Sequence, residues 1–242
     1  MKEKRYFYEG ELALNSKILL EGDEFHHLSV VMRTRVGDRV CLFNGNGSFY
    51  FGSVLRIEKK YAEILIDQEQ KSEVETTVDV TIFQALAKGD KLSLIMQKIT
   101  ELGATNLCLF SSEFCDVKPN TTKGERLELI SVSAAKQCGR ATLTNFQGIK
   151  TIDEICGEIQ DYDKFFVAYE NEENLQLTKV LEENNFKKIA IMIGAEGGFS
   201  TKEIEKLKEH GATIVSLGKR ILRTETAAIA STALAVQILE NK

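Results

Sequence analysis

The chain has 242 residues, 43% of them hydrophobic, with 31 basic and 36 acidic side chains and a net charge of −5. That length admits one large domain or two modest ones with real cores, and the acidic balance excludes recruitment to nucleic acid by bulk attraction alone. No apolar run approaches the roughly 20 residues of a membrane span, and residues 1–8 lack the continuous apolar stretch of a signal peptide, so a cytoplasmic protein without membrane contact is expected.

Residues 38–67 alternate in the manner of strands. Asn44-Gly45-Asn46-Gly47 turns between the first two runs and Lys59-Lys60 between the next two, which predicts a small antiparallel barrel. Gly45-x-Gly47 is not a dinucleotide fingerprint, because Tyr50 occupies the third glycine position and no helical pattern follows. Ahead of the barrel strands, His26 and His27 are adjacent, so on a helix they point about 100° apart and cannot ligate one ion from one face. Packing or contact with an RNA partner remains for them. Arg33 and Arg35, with Arg39 close behind, form a basic cluster at the barrel edge that is either a solvated rim or a contact surface.

The polar, aperiodic stretch 68–77 reads as a linker, dividing the chain into domains 1–72 and 73–242. From residue 79 apolar strands at 79–87, 106–110, 164–170, 188–193 and 213–217 alternate with amphipathic helices, the pattern of an α/β fold with a mostly parallel sheet. One helix starts at Asp90, carries Leu92, Ile95, Met96, Ile99 and Leu102 on one stripe, and stops at Gly103. A second spans about 125–139, and Lys136, Gln137 and Arg140 at its end either complement the helix C-terminus or meet an anionic partner. Residues 88–140 as a whole carry eight basic and six acidic residues, enough for a locally positive face. A third helix opens with the capping box Ser200-x-x-Glu203 and closes at Gly211. The last, about 225–240, is so rich in small residues that it can pack very close to the sheet or to a second copy of the chain.

Five cysteines, at 41, 108, 115, 138 and 156, are odd in number and contain no C-x-x-C pair, so neither a disulfide framework nor a metal site is indicated. The chemistry concentrates instead in two glycine-containing turns, Gly194-Ala195-Glu196-Gly197-Gly198-Phe199-Ser200 and Leu217-Gly218-Lys219-Arg220-Ile221-Leu222-Arg223-Thr224-Glu225-Thr226-Ala227. Each follows an apolar strand and precedes a helix. Glycines there let backbone groups approach a ligand, and Glu196, Arg220, Arg223 and Glu225 set charges of both signs beside them. Such a site suits a polar cofactor together with an anionic partner.

These turns, with Gln84-Ala85-Leu86-Ala87-Lys88-Gly89-Asp90, Gln97-Lys98-Ile99-Thr100-Glu101-Leu102-Gly103 and Ala134-Ala135-Lys136-Gln137-Cys138-Gly139-Arg140, resemble the bacterial 16S rRNA uracil-N3 methyltransferases, the RsmE family of the SPOUT superfamily. His26-His27-Leu28, Met32-Arg33, Gly37-Asp38 and Leu42-Phe43 are similar to the same family's N-terminal PUA-like barrel. Ala195 stands where the family usually has proline. Phe114-Cys115-Asp116 replaces a stretch that in many relatives begins with arginine and serine, and Lys136 stands for a frequent glutamate.

The resemblance implies an RNA-binding PUA-like barrel followed by a SPOUT α/β domain with a trefoil knot, a homodimer, and methylation of N3 of a uridine near the 3′ end of 16S rRNA in the small ribosomal subunit. It implies S-adenosylmethionine as cofactor, held by Tyr169, Glu170, Ile193, Gly194, Glu196, Gly197, Leu217, Gly218, Arg220, Ile221, Leu222, Thr226 and Ala227, with no metal. Arg223 is the expected stabiliser of the uracil anion and Glu225 or Glu196 the expected base. The expected RNA contacts are His26, His27, Arg33, Arg35, Lys136, Gln137 and Arg140. Transfer to another atom of RNA, or an RNA-binding factor without chemistry, is the competing reading.

Overall fold

The computed structural model describes residues 4–117 and 123–242. Residues 1–3 at the chain start and Lys118, one of the eight basic residues of 88–140, lie outside them. The chain divides into two compact units, one of residues up to Glu75 together with Ala135–Leu143, the other of Thr76–Ala134 and Thr144–Lys242.

The first unit contains β1 (Arg5–Phe7), β2 (Lys17–Glu21), α1 (Gly22–His26) running into a π-helical turn His27–Val31, β3 (Arg39–Phe43), β4 (Ser48–Ile57) and β5 (Tyr61–Lys71). They form one sheet in the order β1-β3-β4-β5-β2. β3, β4 and β5 pair antiparallel as the alternation predicts, whereas β1, too short to show a period, joins β3 in parallel. Tyr6, Leu20, Leu28, Leu42, Ile64 and Ile66 fill the core, the last two from the inward positions of β5. A side chain at Gly52, beside a bulge in β4, would collide with the Leu65 carbonyl, so only glycine lets β4 and β5 close there.

The stretch 68–77 is more structured than a linker. β5 continues to Lys71, which pairs with Ser48, and its exposed outer half lacks an apolar period because it has nothing to bury. Beyond it, the Glu75 carboxylate accepts from the backbone N–H of Ala141 (2.5 Å) and Thr142 (3.2 Å), from the Thr142 hydroxyl, and from Arg140 Nε (3.1 Å).

The second unit comprises β6 (Asp79–Ala85), α2 (Lys91–Glu101), β7 (Asn106–Ser111), α3 (Lys123–Cys138, whose last turn groups with the first unit), β8 (Asn145–Thr151), α4 (Ile152–Glu158), β9 (Lys164–Ala168), α5 (Leu177–Glu183), β10 (Lys188–Ile193), α6 (Thr201–Glu209), β11 (Thr213–Val215) and α7 (Thr224–Glu240). Its six strands run parallel in the order β11-β9-β10-β6-β7-β8. Successive side chains of a strand face opposite ways. In β6, Val80 and Ile82 therefore join a core with Ile95 and Ile99 of α2, Leu181 of α5 and Ala228 and Ala235 of α7, while Phe83 and Ala85 join another with Ile155 of α4 and Leu207 of α6. The result is the three-layer arrangement of a parallel sheet with helices on both faces. The small residues of α7 serve close packing on this sheet: Ala227, Ala228, Ser231, Thr232 and Ala235 are buried.

Candidate active site

In open parallel sheets the carboxyl ends of the strands carry the ligand site, because the connecting loops converge there. β9, β10 and β11 are neighbours, and the loops leaving them enclose a cavity of about 550 Å³. One wall is the loop from Ile193 through Phe199, a second runs from Ser216 to Thr224, and Ala168, Tyr169 and Glu170 close the third. Lys91 from the start of α2 and Ala227 from α7 complete the lining.

Local sequence explains the two loop walls. The Ser200 hydroxyl accepts from the Glu203 N–H while the Glu203 carboxylate accepts from the Ser200 N–H, so the capping box fixes where the first loop ends and α6 begins. Within that loop Gly198 N–H donates to the Ala195 carbonyl at 3.0 Å and Gly198 adopts φ +71°; a side chain on it would run into the Glu170 carboxylate. Gly218 turns the second loop at φ +110°. The two loops are then joined by a buried threonine. Thr224 Oγ1 accepts from Gln84 Nε2 at 2.8 Å and donates to the Gly194 carbonyl at 2.7 Å, tying β6, the first loop and the start of α7 together.

Of the residues expected to hold a cofactor, Tyr169, Glu170, Ile193, Gly194, Glu196, Gly197, Leu217, Gly218, Arg220, Ile221, Leu222 and Ala227 all line this cavity. Thr226 does not: it lies on the exposed side of α7, one residue from Ala227, which faces in. Arg223 lines the cavity from an exposed position at the N-cap of α7. Glu225 is not part of the lining, although Thr224 and Ala227 on either side are.

Lys91 joins these residues without any local sequence signal that marks it. Its Nζ donates to Glu196 Oε1 at 2.5 Å and stands 3.9 Å from Glu225 Oε2. Burial pushes the Glu196 carboxyl up, but the Lys91 hydrogen bond, backbone N–H groups and the Lys91 charge outweigh it and hold its pKa below the ordinary carboxylate value. Glu225 Oε2 is buried without a hydrogen-bond partner, as is Gln84 Oε1. The position of Lys91 at the first turn of α2 is legible, but nothing local to 88–91 says that this turn points at residues 196 and 225.

All seven expected RNA contacts fall in the first unit, because the end of α3 groups with it. His26, Arg33, Arg35 and Gln137 are exposed, and Arg33 holds a left-handed backbone at φ +49°. His27 packs against Tyr6 with ring centroids 5.6 Å apart, and its buried Nδ1 has no partner. Lys136 donates to both Glu24 oxygens at 2.6 and 2.8 Å, and buried Arg140 bonds Glu75 and Thr142, so both cations are engaged inside the unit. Among the described residues no cluster of His, Cys, Asp and Glu is placed to hold a metal ion.

Comparison with known proteins agrees with this layout. An RNA methyltransferase domain model matches residues 74–236 and an RNA methyltransferase PUA domain model matches residues 20–67. The ribosomal RNA small subunit methyltransferase E of Rickettsia conorii is 32% identical over 237 residues, covering 96% of this chain and 95% of its own. A structure of ribosomal RNA small subunit methyltransferase E from Neisseria gonorrhoeae bound to S-adenosyl methionine superposes with a TM-score of 0.87 at 29% identity, over 96% of this chain and 95% of that one. A methyltransferase from Legionella pneumophila with bound SAM gives the same TM-score at 28% identity over 97% of both chains. A full-length match of that identity, with both domain models in the same order and the glycine loops at the carboxyl ends of β10 and β11, shows that this chain belongs to the family of ribosomal RNA small subunit methyltransferases E.

Proposed function

We propose that the protein transfers the methyl group of S-adenosylmethionine to N3 of a uridine near the 3′ end of 16S rRNA, within the small ribosomal subunit, in the cytoplasm. The observation that carries the cofactor reading is the cavity at the ends of β9, β10 and β11. Its volume is within the range of small-molecule sites, roughly 300–1,000 Å³. Its lining also fits the group: Ile193, Leu217, Leu222 and Ala168 offer an apolar slot for a flat ring, glycine-rich backbone offers amides at its edge, and Glu170 and Glu196 offer carboxylates to cationic parts.

The cofactor supplies an electrophilic methyl on a sulfonium centre; the protein supplies alignment, a proton acceptor and charge stabilisation. Uridine N3 carries a weakly acidic imide proton that must leave as the nitrogen attacks. Arg223, at the cavity mouth, is suited to donate hydrogen bonds to a uracil carbonyl oxygen as negative charge spreads onto it. Holding the reacting atoms in line is worth about 7–11 kcal/mol, more than the roughly 10²–10⁴-fold from a positioned base. The two loops therefore matter at least as much as either glutamate.

The same reading assigns residues 1–72 to RNA binding and 73–242 to methyl transfer. Exposed His26, Arg33, Arg35 and Gln137 are the first candidates for RNA contact, with Lys136 and Arg140 holding the surface that carries them. A trefoil knot is supported by the insertion of β10 between β6 and β9, both earlier in the chain. A homodimer is supported by the outward side of α7, where Leu234 is exposed among small residues. The deciding experiment supplies purified protein and labelled S-adenosylmethionine to small subunits from a strain lacking the enzyme, then maps the product by mass spectrometry. N3-methyluridine near the 3′ end is expected; a methylated ribose or another base would overturn the specificity.

A further inference from the structure

Two carboxylates, one from the loop after β10 and one from the first turn of α7, approach one ammonium beside the cavity. Lys91 Nζ lies 2.5 Å from Glu196 Oε1 and 3.9 Å from Glu225 Oε2. Of the cations near it, Lys88 pairs with Asp116 at 2.6 Å while also feeling the Glu196 charge, and Arg126 pairs with Asp90 at 2.9 Å. The cluster thus holds two negative charges and one positive charge, and the pairing is unequal. Glu196 has a short charge-assisted bond, whereas Glu225 Oε2 is buried and accepts nothing. A buried acceptor left without a donor carries a desolvation penalty, which is tolerated where a ligand brings the donor.

Resting on the methyltransferase reading, we propose that Lys91 is a positioning residue which, by occupying Glu196, reserves Glu225 as the acceptor of the uracil N3 proton. As the N3–CH3 bond forms and the S–CH3 bond breaks, sulfur keeps the bonding pair and becomes a neutral thioether. The N3 proton passes to a Glu225 oxygen. The cluster then goes from one net negative charge to none, with Lys91 and Glu196 still paired, so no uncompensated charge is left behind. Glu196 is the weaker acceptor because protonating it would give up the short charge-assisted bond at 2.5 Å and leave the Lys91 ammonium only the 3.9 Å approach to Glu225. Lys91 is also the only described cavity residue contributed by α2, so it aligns the Ile193–Phe199 loop with the start of α7 at the point where proton and methyl leave.

The test measures single-turnover methyl transfer to small subunits and, separately, cofactor affinity by calorimetry. The variants are Lys91→Met, Lys91→Arg, Glu196→Gln, Glu225→Gln and the double variant Lys91→Met/Glu196→Gln. Glu225→Gln should lower the transfer rate by roughly 10²–10⁴-fold while still binding cofactor. Lys91→Met should lower it by up to about 10²-fold, the scale of a misplaced reacting group. Lys91→Arg should restore most of the rate, and adding Glu196→Gln to Lys91→Met should relieve its defect, since the charge that needed a partner is gone. The proposal is overturned if Glu196→Gln is as damaging as Glu225→Gln, if Lys91→Met transfers at the wild-type rate, or if the double variant is no better than Lys91→Met. Wild-type protein that binds cofactor yet never methylates N3 would instead overturn the function on which the proposal rests.

Discussion

Replacing Thr224 with valine tests whether the cavity is held open by one side chain. The two residues are nearly the same shape, so the exchange removes a hydroxyl and adds a methyl with little change of volume. Thr224 is 5% exposed, and its hydroxyl both accepts from Gln84 Nε2 at 2.8 Å and donates to the Gly194 carbonyl at 2.7 Å. After Thr224→Val the amide of Gln84 keeps only its bond to the Ala85 carbonyl at 3.0 Å, and Gln84 is itself wholly buried with Oε1 already unpartnered. One fully and one partly orphaned group together should cost about 2–4 kcal/mol. For a unit of this size that lowers the melting temperature by roughly 5–15 °C. Thr224→Ser keeps the hydroxyl and loses only a methyl, so it should melt well above Thr224→Val. Thermal unfolding followed by circular dichroism, with and without S-adenosylmethionine, reads both effects, and the valine variant should also lose part of the cofactor-induced stabilisation because the Gly194 loop is no longer tied to α7. Equal melting temperatures for wild type and Thr224→Val, or a serine variant less stable than the valine one, would refute the reasoning.

The glycines should respond oppositely to alanine. Gly157 sits inside α4 with open space around its Cβ position, so Gly157→Ala should stabilise by about 0.4–1 kcal/mol through the unfolded chain, whereas Gly218→Ala at φ +110° should destabilise by about 1–3 kcal/mol and weaken cofactor binding; paired melting curves decide. Burial raises the Glu75 carboxyl, but the Thr142 hydroxyl, the Ala141 N–H and Arg140 hold it below its ordinary 4.5. A depressed folded value stabilises fully above the unfolded one and is lost as pH falls through the folded one, so wild type should lose stability below about pH 4.5 more steeply than Glu75→Gln in acid titrations monitored by denaturant melts. Burial pushes the Cys108 thiol up to about 12, and Cys41 and Cys156 are also buried, so a disulfide reagent near pH 8 should modify only Cys115 and Cys138 quickly in native protein. Fast reaction of Cys108 would show that the β6–β7 core is not closed.

The elements that sequence made legible are those whose burial is continuous, on both faces of a strand or along one stripe of a helix. β10 runs Lys188–Ile193, as expected from six residues buried on both faces but for its first, and α2 follows the stripe Leu92, Ile95, Met96, Ile99. Ser200 and Glu203 form the capping box that their spacing announced. Asp90, by contrast, takes the N-cap position of α2 without capping it and turns its carboxylate to Arg126. β8 is silent in the sequence because an edge strand of exposed and half-buried side chains has no apolar run, and β1 because three residues show no period. α4 and α5, at seven residues each, are shorter than the windows in which helical periodicity can be separated from chance.

The site divides along the same line. Glycine-bearing turns after apolar strands are local signals, so the two loops could be read directly. That they face one another depends on β9 lying between β11 and β10, a pairing between strands far apart in sequence, which no local pattern encodes. The same non-locality separates residues named in advance from those that were not. Glu196 and Glu225 stand out because they sit inside the turns; Gln84, which enters only through a family motif, and Lys91 carry no local sign of a site role, because their partners lie 140 and 105 residues away. Both are supplied by the β6–α2 segment, whose strand pairs directly with β10. The charges in the turns are thus half of an arrangement whose other half comes from the unit's first strand and helix. If Lys91 and Thr224 act as argued, cofactor binding and methyl transfer should separate under mutation: the Gln84–Thr224–Gly194 link governs the shape of the cofactor walls, and the Lys91–Glu196–Glu225 cluster governs the fate of the proton.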